Sequence, residues 1–199
     1  MPGTQRRSDA SANIARIVAA ARQVFARDGA SATLSAVAAA AGVGDATLYR
    51  HFPNRQALAA AVYESIFDTE VKPAILALAG SPATAFIDVL AHLEELMFAQ
   101  RPMLASLDDL ASLTADLIMR DRGLLEEFVR RAQGDGTLRT DVSAREVASF
   151  VAMITAASVA MNQPKRQRRR YLHLMVDGLS PAAAQSSSLQ RSRIKNAAR

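Results

Sequence analysis

The sequence predicts an all-α protein, with an N-terminal three-helix head followed by a larger helical bundle. Three observations carry that expectation. Apolar residues recur at spacings of three and four from Ile14 onward, with no strand-like alternation and no internal repeat. Two short helical segments within residues 33–52 meet at Gly42-Val43-Gly44, and Pro53 closes the second. Helix-opening signals then punctuate the chain, among them Ser81-Pro82, the capping box Ser143-x-x-Glu146, and Pro164.

Residues 1–10 read as a flexible basic arm, in which Arg6 and Arg7 can reach phosphates or a minor groove, or else as a disordered start. A first helix over 11–28 puts Ile14, Ile17, Val18, Ala21 and Phe25 on one face and Arg16, Arg22 and Arg27 elsewhere. Gly29 follows as a left-handed cap. Thr33 or Ser35 can cap a second helix that runs to about Ala41, with Val37 and Ala38 inward. Gly42 permits the positive φ of the turn, and Val43 fills the gap beneath it. The third helix covers Asp45 to Phe52. Asn54 caps a long fourth helix with Leu58, Val62, Ile66 and Phe67 as its apolar stripe, and Pro73 ends or kinks it. The head therefore spans residues 11–72.

Residues 73–179 form the expected bundle. One helix carries Phe86, Val89, Leu90, Leu93 and Met97, and Pro102 starts a short segment with Met103, Leu104, Leu107 and Leu110. A single longer helix is expected from about Leu113 to Ala132, stopped by Gly134-Asp135-Gly136. Two more follow, near 143–162 and 164–178, and residues 180–199 read as a disordered tail.

Composition narrows the chemistry. Half of the 199 residues are hydrophobic, enough for a sizeable core. The absence of cysteine excludes disulfides, thiolate metal sites and a cysteine nucleophile. His51, His92 and His173 are scattered, and no P-loop, nucleophile elbow or dinucleotide fingerprint is present, so neither an enzyme nor a metal or cofactor site is expected. The polar N-terminus does not read as a signal peptide. The most apolar run, Val147 to Met161, is shorter than the roughly twenty residues of a membrane span, which points to a soluble cytoplasmic protein. The net charge of +5 is unevenly spread: residues 1–63 carry +4, residues 64–179 carry −3 and residues 180–199 carry +4. A basic first third ahead of a mildly acidic body suits a segment that meets an anionic polymer.

The third helix has the side chains for such a meeting. Thr47, Tyr49, Arg50 and His51 lie on one side, and Leu48 and Phe52 on the other. One side packs while the other offers donors, a cation and an aromatic ring, as a DNA-reading helix requires. Gly29, Thr33, Val37-Ala38, Ala41-Gly42-Val43, Thr47-Leu48-Tyr49-Arg50-His51-Phe52, Asn54-Arg55 and Leu58 together resemble the N-terminal domain of TetR-family transcriptional regulators, over about residues 11–70. The stretch from Gly136 to Val142, followed by two apolar helices, looks like a C-terminal variant common among actinobacterial members.

The resemblance implies roles residue by residue. Thr47 and Tyr49 would bond phosphates, Arg50 with Asp45 and Ala46 would face base edges, and His51 would touch backbone or base. Asn54 and Arg55 stand at the start of the fourth helix, where Arg55, in place of the family's usual Lys, would hold a phosphate. Ser35 would add a phosphate contact from the second helix. Gly44 and Ala46 depart from the family's Ser or Thr and Gly. Asp45 then either caps the third helix or accepts from a cytosine amino group.

For the body, the resemblance implies a pocket for an apolar or amphipathic small-molecule effector, with Phe67, Met97, Met103, Leu104, Leu107, Leu117 and Phe128 as candidate lining. It also implies a homodimer through the last two helices, with Ala148, Ala152, Ala156, Ala157 and Ala160 as the close-packing face. The implied activity is repression at a palindromic operator in double-stranded DNA, relieved by the effector. The run Lys165-Arg166-Gln167-Arg168-Arg169-Arg170 reads either as a solvated helix start or as a surface for nucleic acid or acidic lipid.

Overall fold

The computed structural model describes residues 2–78, 85–105, 107–161 and 163–182, without the side chains of residues 2–10, 78, 85–87 and 89. The expected cap at Ser81-Pro82, the side chains of Arg6 and Arg7, and the tail beyond residue 182 lie outside the described residues. Every regular element among the described residues is helical.

The head opens with α1 (Pro2–Asp28). This helix begins nine residues before the expected start at 11, so residues 2–10 continue it and are not a separate arm. Gln5, Arg6, Arg7 and Ala10 are good helix formers, and Pro2 is tolerated in a first turn. Ile17, Ala21, Val24 and Phe25 are buried, whereas Ile14, expected inward, is exposed because the head's packing begins at Ile17. Gly29 takes φ +55° and leads into a 3₁₀ turn, Gly29–Ser31. Helix α2 (Leu34–Ala41) is capped by Thr33, whose side chain accepts from Ala36 N–H at 3.1 Å. Gly42 at φ +65° turns the chain into α3 (Asp45–His51). Asn54 accepts from Ala57 N–H at 2.8 Å and starts α4 (Arg55–Ile66).

Helix α4 passes Pro73 through a five-residue π turn, Phe67–Val71, in which Lys72 N–H donates to Phe67 C=O. In a regular helix the Pro73 ring would press on the carbonyl four residues back; the wider π geometry falls where that conflict would arise. The helical path then continues as α5 (Lys72–Leu78). Three ion pairs hold the turn from outside: Glu70 with Arg22 of α1, Asp68 with Arg120, and Lys72 Nζ with Asp121 Oδ2 at 2.8 Å.

The body consists of α6 (Ala85–Ala99), α7 (Arg101–Leu104), α8 (Leu110–Arg120), α9 (Arg122–Gly134), α10 (Ala144–Met161) and α11 (Lys165–Asp177). The single helix expected over Leu113–Ala132 is in fact two. It breaks at Asp121, whose carboxylate is drawn to Lys72, with the poor helix former Gly123 just beyond. Asp109 accepts from Ser112 N–H and moves the start of α8 to Leu110. The capping box forms as expected: Ser143 N–H donates to Glu146 Oε2 at 2.7 Å, and Glu146 N–H donates to Ser143 Oγ at 3.3 Å.

Helix α10 packs on α8, α6 and α9. At eighteen residues it is longer than the apolar run suggested, and by length and composition it could cross a membrane. Here Val147, Ala148, Ala152, Ile154, Thr155 and Val159 are buried inside the body. The alanine face assigned to pairing is thereby corrected. Ala148 and Ala152 point inward, and the outward stripe is Ser149, Met153, Ala157, Ala160 and Met161. The expected stripe mixed positions from opposite sides of the helix.

One buried cluster runs from Ile17 and Phe25 through Leu48, Leu58 and Ile66 to Met103, Leu104, Leu117 and Val159, so head and body share a core. Helix α7 is the wedge between them. Arg101 Nε donates to Val159 C=O at 2.6 Å, and a Cβ added at Gly29 would lie 3.4 Å from Pro102 Cβ.

The two turn glycines separate conformation from packing, since neither would meet a neighbour within 4 Å if given a Cβ. Gly42→Ala is expected to cost about 1–2 kcal/mol from its left-handed backbone. Gly44, extended at φ −74°, carries no left-handed strain as Ala and loses only the modest N-cap preference for Gly, under about 1 kcal/mol, while Gly44→Ser gains a few tenths of a kcal/mol by supplying the missing cap. Urea denaturation of the three variants measures this order.

Candidate nucleic-acid interface

Helix α3 is anchored from behind by Leu48 and Phe52, both buried. Asp45, Ala46, Tyr49 and Arg50 are exposed on its outer side, and Thr47 and His51 are half-buried beside them. Tyr49, 48% exposed, keeps its ring and hydroxyl available. Arg50 Nη2 donates to Thr47 Oγ1 at 3.2 Å, which joins two expected contact residues into one polar pair. The His51 and Phe52 rings are 6.5 Å apart and tilted by 54°.

Three expected contact residues are engaged within the head. Gly44 is the N-cap of α3 and has no side chain to give, and Asp45 does not cap either. Its Oδ2 accepts from Ser35 Oγ at 3.0 Å, so Ser35 and Asp45 tie α2 to α3. Asp45 in the first turn also opposes the positive end of the helix dipole. Arg55 turns back under the head. Its Nη2 donates to Gly29 C=O at 2.8 Å, its Nη1 donates to Ala32 C=O, and its guanidinium lies 4.8 Å from the Phe25 ring centroid. Arg55 thus bonds the part-buried carbonyls of the α1–α2 turn while stacking on α1. The sequence reading missed Phe25 and these carbonyls as partners, because no local spacing links them to residue 55.

Within the body, Tyr63, Phe67 and Val71 of α4 and its π turn line a cavity with about 60 Å³ of free interior. Leu90, Leu93 and Met97 of α6, Thr114 and Ile118 of α8, Leu125 and Phe128 of α9, and Val147, Val151 and Thr155 of α10 complete most of it. That is room for a few waters. Phe67, Met97 and Phe128 were expected here. Met103, Leu104 and Leu117 belong to the closed core joining head and body, with Leu107 packed against it. Periodicity marked all seven as inward but could not say into which space. Tyr63 OH lies 2.8 Å from Thr114 Oγ1, and burial pushes the Tyr63 hydroxyl up to about 12.

The outer sides of α10 and α11 form a shallow apolar groove, with Ile154, Ala157, Met161, Tyr171, Leu174 and Met175 along it. Met153 is 57% and Leu174 58% exposed on this face. The adjacent basic run is not simply solvated. Arg168 is buried, pairs through Nε with buried Glu94, donates from Nη1 to Gln163 C=O at 2.8 Å, and stacks 3.4 Å from the Phe98 ring centroid. Lys165 Nζ meets Glu95 Oε1 at 2.7 Å and holds that carboxyl below its usual range. Arg166, Arg169 and Arg170 remain exposed. No group of three or more His, Asp or Glu suited to a metal occurs among the described residues.

Comparison with known proteins agrees with this architecture. Residues 17–62 match the family profile described as bacterial regulatory proteins, tetR family. Residues 81–181, half of the chain, match the profile of the transcriptional regulator SbtR-like C-terminal domain. A TetR transcriptional regulator from Streptomyces coelicolor is 29% identical, with 84% of this chain and 98% of that chain covered and a TM-score of 0.49. One from Mycobacterium vanbaalenii is 30% identical over 87% and 98%, with a TM-score of 0.48. A gamma-butyrolactone receptor described as ArpA-like is 22% identical over 88% and 92%, also with a TM-score of 0.48. No curated protein matches the chain. Two profiles in sequence, one over the helix-turn-helix head and one over the helical body, establish that the chain belongs to the TetR family of bacterial transcriptional regulators.

Proposed function

We propose that this regulator is a cytoplasmic homodimer that represses transcription by binding a palindromic operator and is released by a small molecule. The observation that carries the reading is the outer side of α3. Tyr49, Arg50, Thr47 and His51 project from a helix whose other side is locked by Leu48 and Phe52. Tyr49 and Thr47 serve phosphates, Arg50 reads base edges, and Ala46 leaves room for close approach to the groove. Arg55, Ser35 and Asp45 hold α3 in position, and Asn54 caps the helix behind it.

A dimer follows from the groove on α10 and α11, whose exposed methionines and leucine would be covered by the same face of a second copy. Its two reading helices would enter major grooves about 34–36 Å apart, one helical turn of DNA. The internal cavity is the effector site of this reading. Tyr63, Phe67 and Val71 line it from the same continuous helical path that begins at Arg55, so a molecule that fills the cavity pushes on the support of the reading helix. The coupling is reciprocal: operator DNA weakens effector binding by the factor through which the effector weakens DNA binding.

Selection of bound genomic fragments supplies the operator for three measurements. Arg50→Ala loses about 1–3 kcal/mol of affinity on the selected operator and much less on random DNA; equal loss on both removes its base-reading role. Arg55→Ala lowers the stability of the fold by about 1–3 kcal/mol by removing charge-assisted hydrogen bonds, and weakens binding to every sequence with an unchanged salt dependence. Arg55→Lys recovers little, because an ammonium cannot span both carbonyls and stack on Phe25. A salt slope reduced by about one would instead return Arg55 to a phosphate. Leu174→Glu leaves the fold intact and shifts sedimentation from dimer to monomer, with operator affinity falling in parallel.

A further inference from the structure

The cavity's lining restricts the chemistry of its occupant. Among the described residues that form it, none carries a charge; eleven are apolar, and Tyr63, Thr114 and Thr155 supply the polar atoms. Thr114 Oγ1 donates to Leu110 C=O at 2.7 Å, which uses its one proton. The 2.8 Å contact between Tyr63 and Thr114 therefore has Tyr63 as donor and Thr114 as acceptor. The relay runs Tyr63 to Thr114 to Leu110, and what Tyr63 retains is the acceptor capacity of its oxygen. That oxygen is neutral at physiological pH, as in any tyrosine, and burial only disfavours its ionisation further. An ionised ligand would leave its charge unpaired in an apolar interior, which is strongly unfavourable.

We propose that the cavity selects an uncharged, largely apolar molecule carrying one hydroxyl or N–H donor, which bonds to the Tyr63 oxygen at the end of the Tyr63–Thr114–Leu110 relay. This rests on the reading of the cavity as the effector site. A carboxylate or a bare ether oxygen meets the Tyr63 lone pairs unfavourably unless the tyrosine gives up Thr114. Thr155 can donate or accept, so it does not impose the same direction. With about 60 Å³ of free interior, a short occupant fits best.

The test uses four probes of equal length: 1-hexanol, its isomer methyl pentyl ether, hexanoate and hexylammonium. Each is titrated at neutral pH into the full-length protein with labelled Ile, Leu, Val and Met methyls. Hexanol is expected to shift the methyls of Leu93, Met97, Ile118 and Val147, and to bind about tenfold more tightly than the ether, the worth of one hydrogen bond. The two ions bind more weakly still. Tyr63→Phe removes the alcohol's advantage and Thr155→Val preserves it. Thr114→Val, which frees the Tyr63 proton, narrows the gap by favouring the ether, so the relay is tested even if one variant folds poorly. Hexanoate or ether matching the alcohol at these methyls overturns the ligand class and leaves the cavity as a site. So does a preference that follows Thr155 and not Tyr63. Shifts confined to other methyls, or none with any probe, overturn the effector site itself and this proposal with it.

Discussion

The Arg55 guanidinium is the contact on which the head depends. The carbonyls of Gly29 and Ala32 in the α1–α2 turn are part-buried, and Gly29 C=O already accepts from Ala32 N–H at 3.3 Å. A part-buried carbonyl left short of donors is costly, and a planar guanidinium reaches both of these at once while its face rests on Phe25. Because Arg55 is also the first residue of α4, the same contact fixes where that helix starts relative to α1. Helix α3 packs on α2, and Leu48 joins the core that α1 and α4 share. Leu48 and Phe52 share one core with Phe25 of α1 and Leu58 of α4, so the placing of α1 against α4 shapes the surface on which α3 rests. Gly29 completes the constraint from the body side, since Pro102 of the α7 wedge packs against it.

This arrangement accounts for what the sequence conveyed and what it withheld. Caps and turns are local, so Thr33, Gly42, Asn54, Gly136 and the Ser143–Glu146 box could be read from neighbours in the chain, and the structure has them in those roles. The polar side of α3 was readable for the same reason, because one helical period separates Thr47, Leu48 and Arg50 into two faces. Direction was not readable for long cations. Arg55 was expected to face a phosphate from the family resemblance, and Arg168 to lie in a solvated or anion-binding basic run. Both turn inward because distant groups await them: two carbonyls and Phe25 for Arg55, and Glu94 and Phe98 for Arg168. The break at Asp121 was hidden likewise, since it answers to Lys72, 49 residues earlier.

Helix α6 shows how the body's polar and apolar interiors are kept apart. Leu90, Leu93 and Met97 face the cavity, while Glu94 meets buried Arg168 of α11. A buried ion pair contributes little net stability against an apolar replacement, but breaking one partner is severe. Its effect here is to fix the register of α11 against α6, and thus where Tyr171, Leu174 and Met175 emerge on the outer groove. Lys165 with Glu95 repeats the match three residues earlier. The basic run is therefore the positive half of a charge register whose negative half is the Glu94-Glu95 pair.

The small size of the cavity bears on how an effector would act. With about 60 Å³ free, a molecule of effector size has to displace part of the lining, so the question becomes which wall yields. The α10 wall is held edge-on by its packing with α8, α6 and α9, and on the proposed reading its outer side is covered by the second copy. The α4 wall is different. At Phe67–Val71 the helix is already in wider π geometry, and its outward ties are ion pairs of Asp68, Glu70 and Lys72 with partly exposed partners. Such pairs contribute roughly 0–1 kcal/mol each and weaken with salt. The wall that yields most readily is thus the one continuous with Arg55. Moving it acts on the head through the guanidinium that sets the spacing of α1, α3 and α4. On the proposed reading, the same contact that lets the head hold a reading helix also makes that helix responsive to the body.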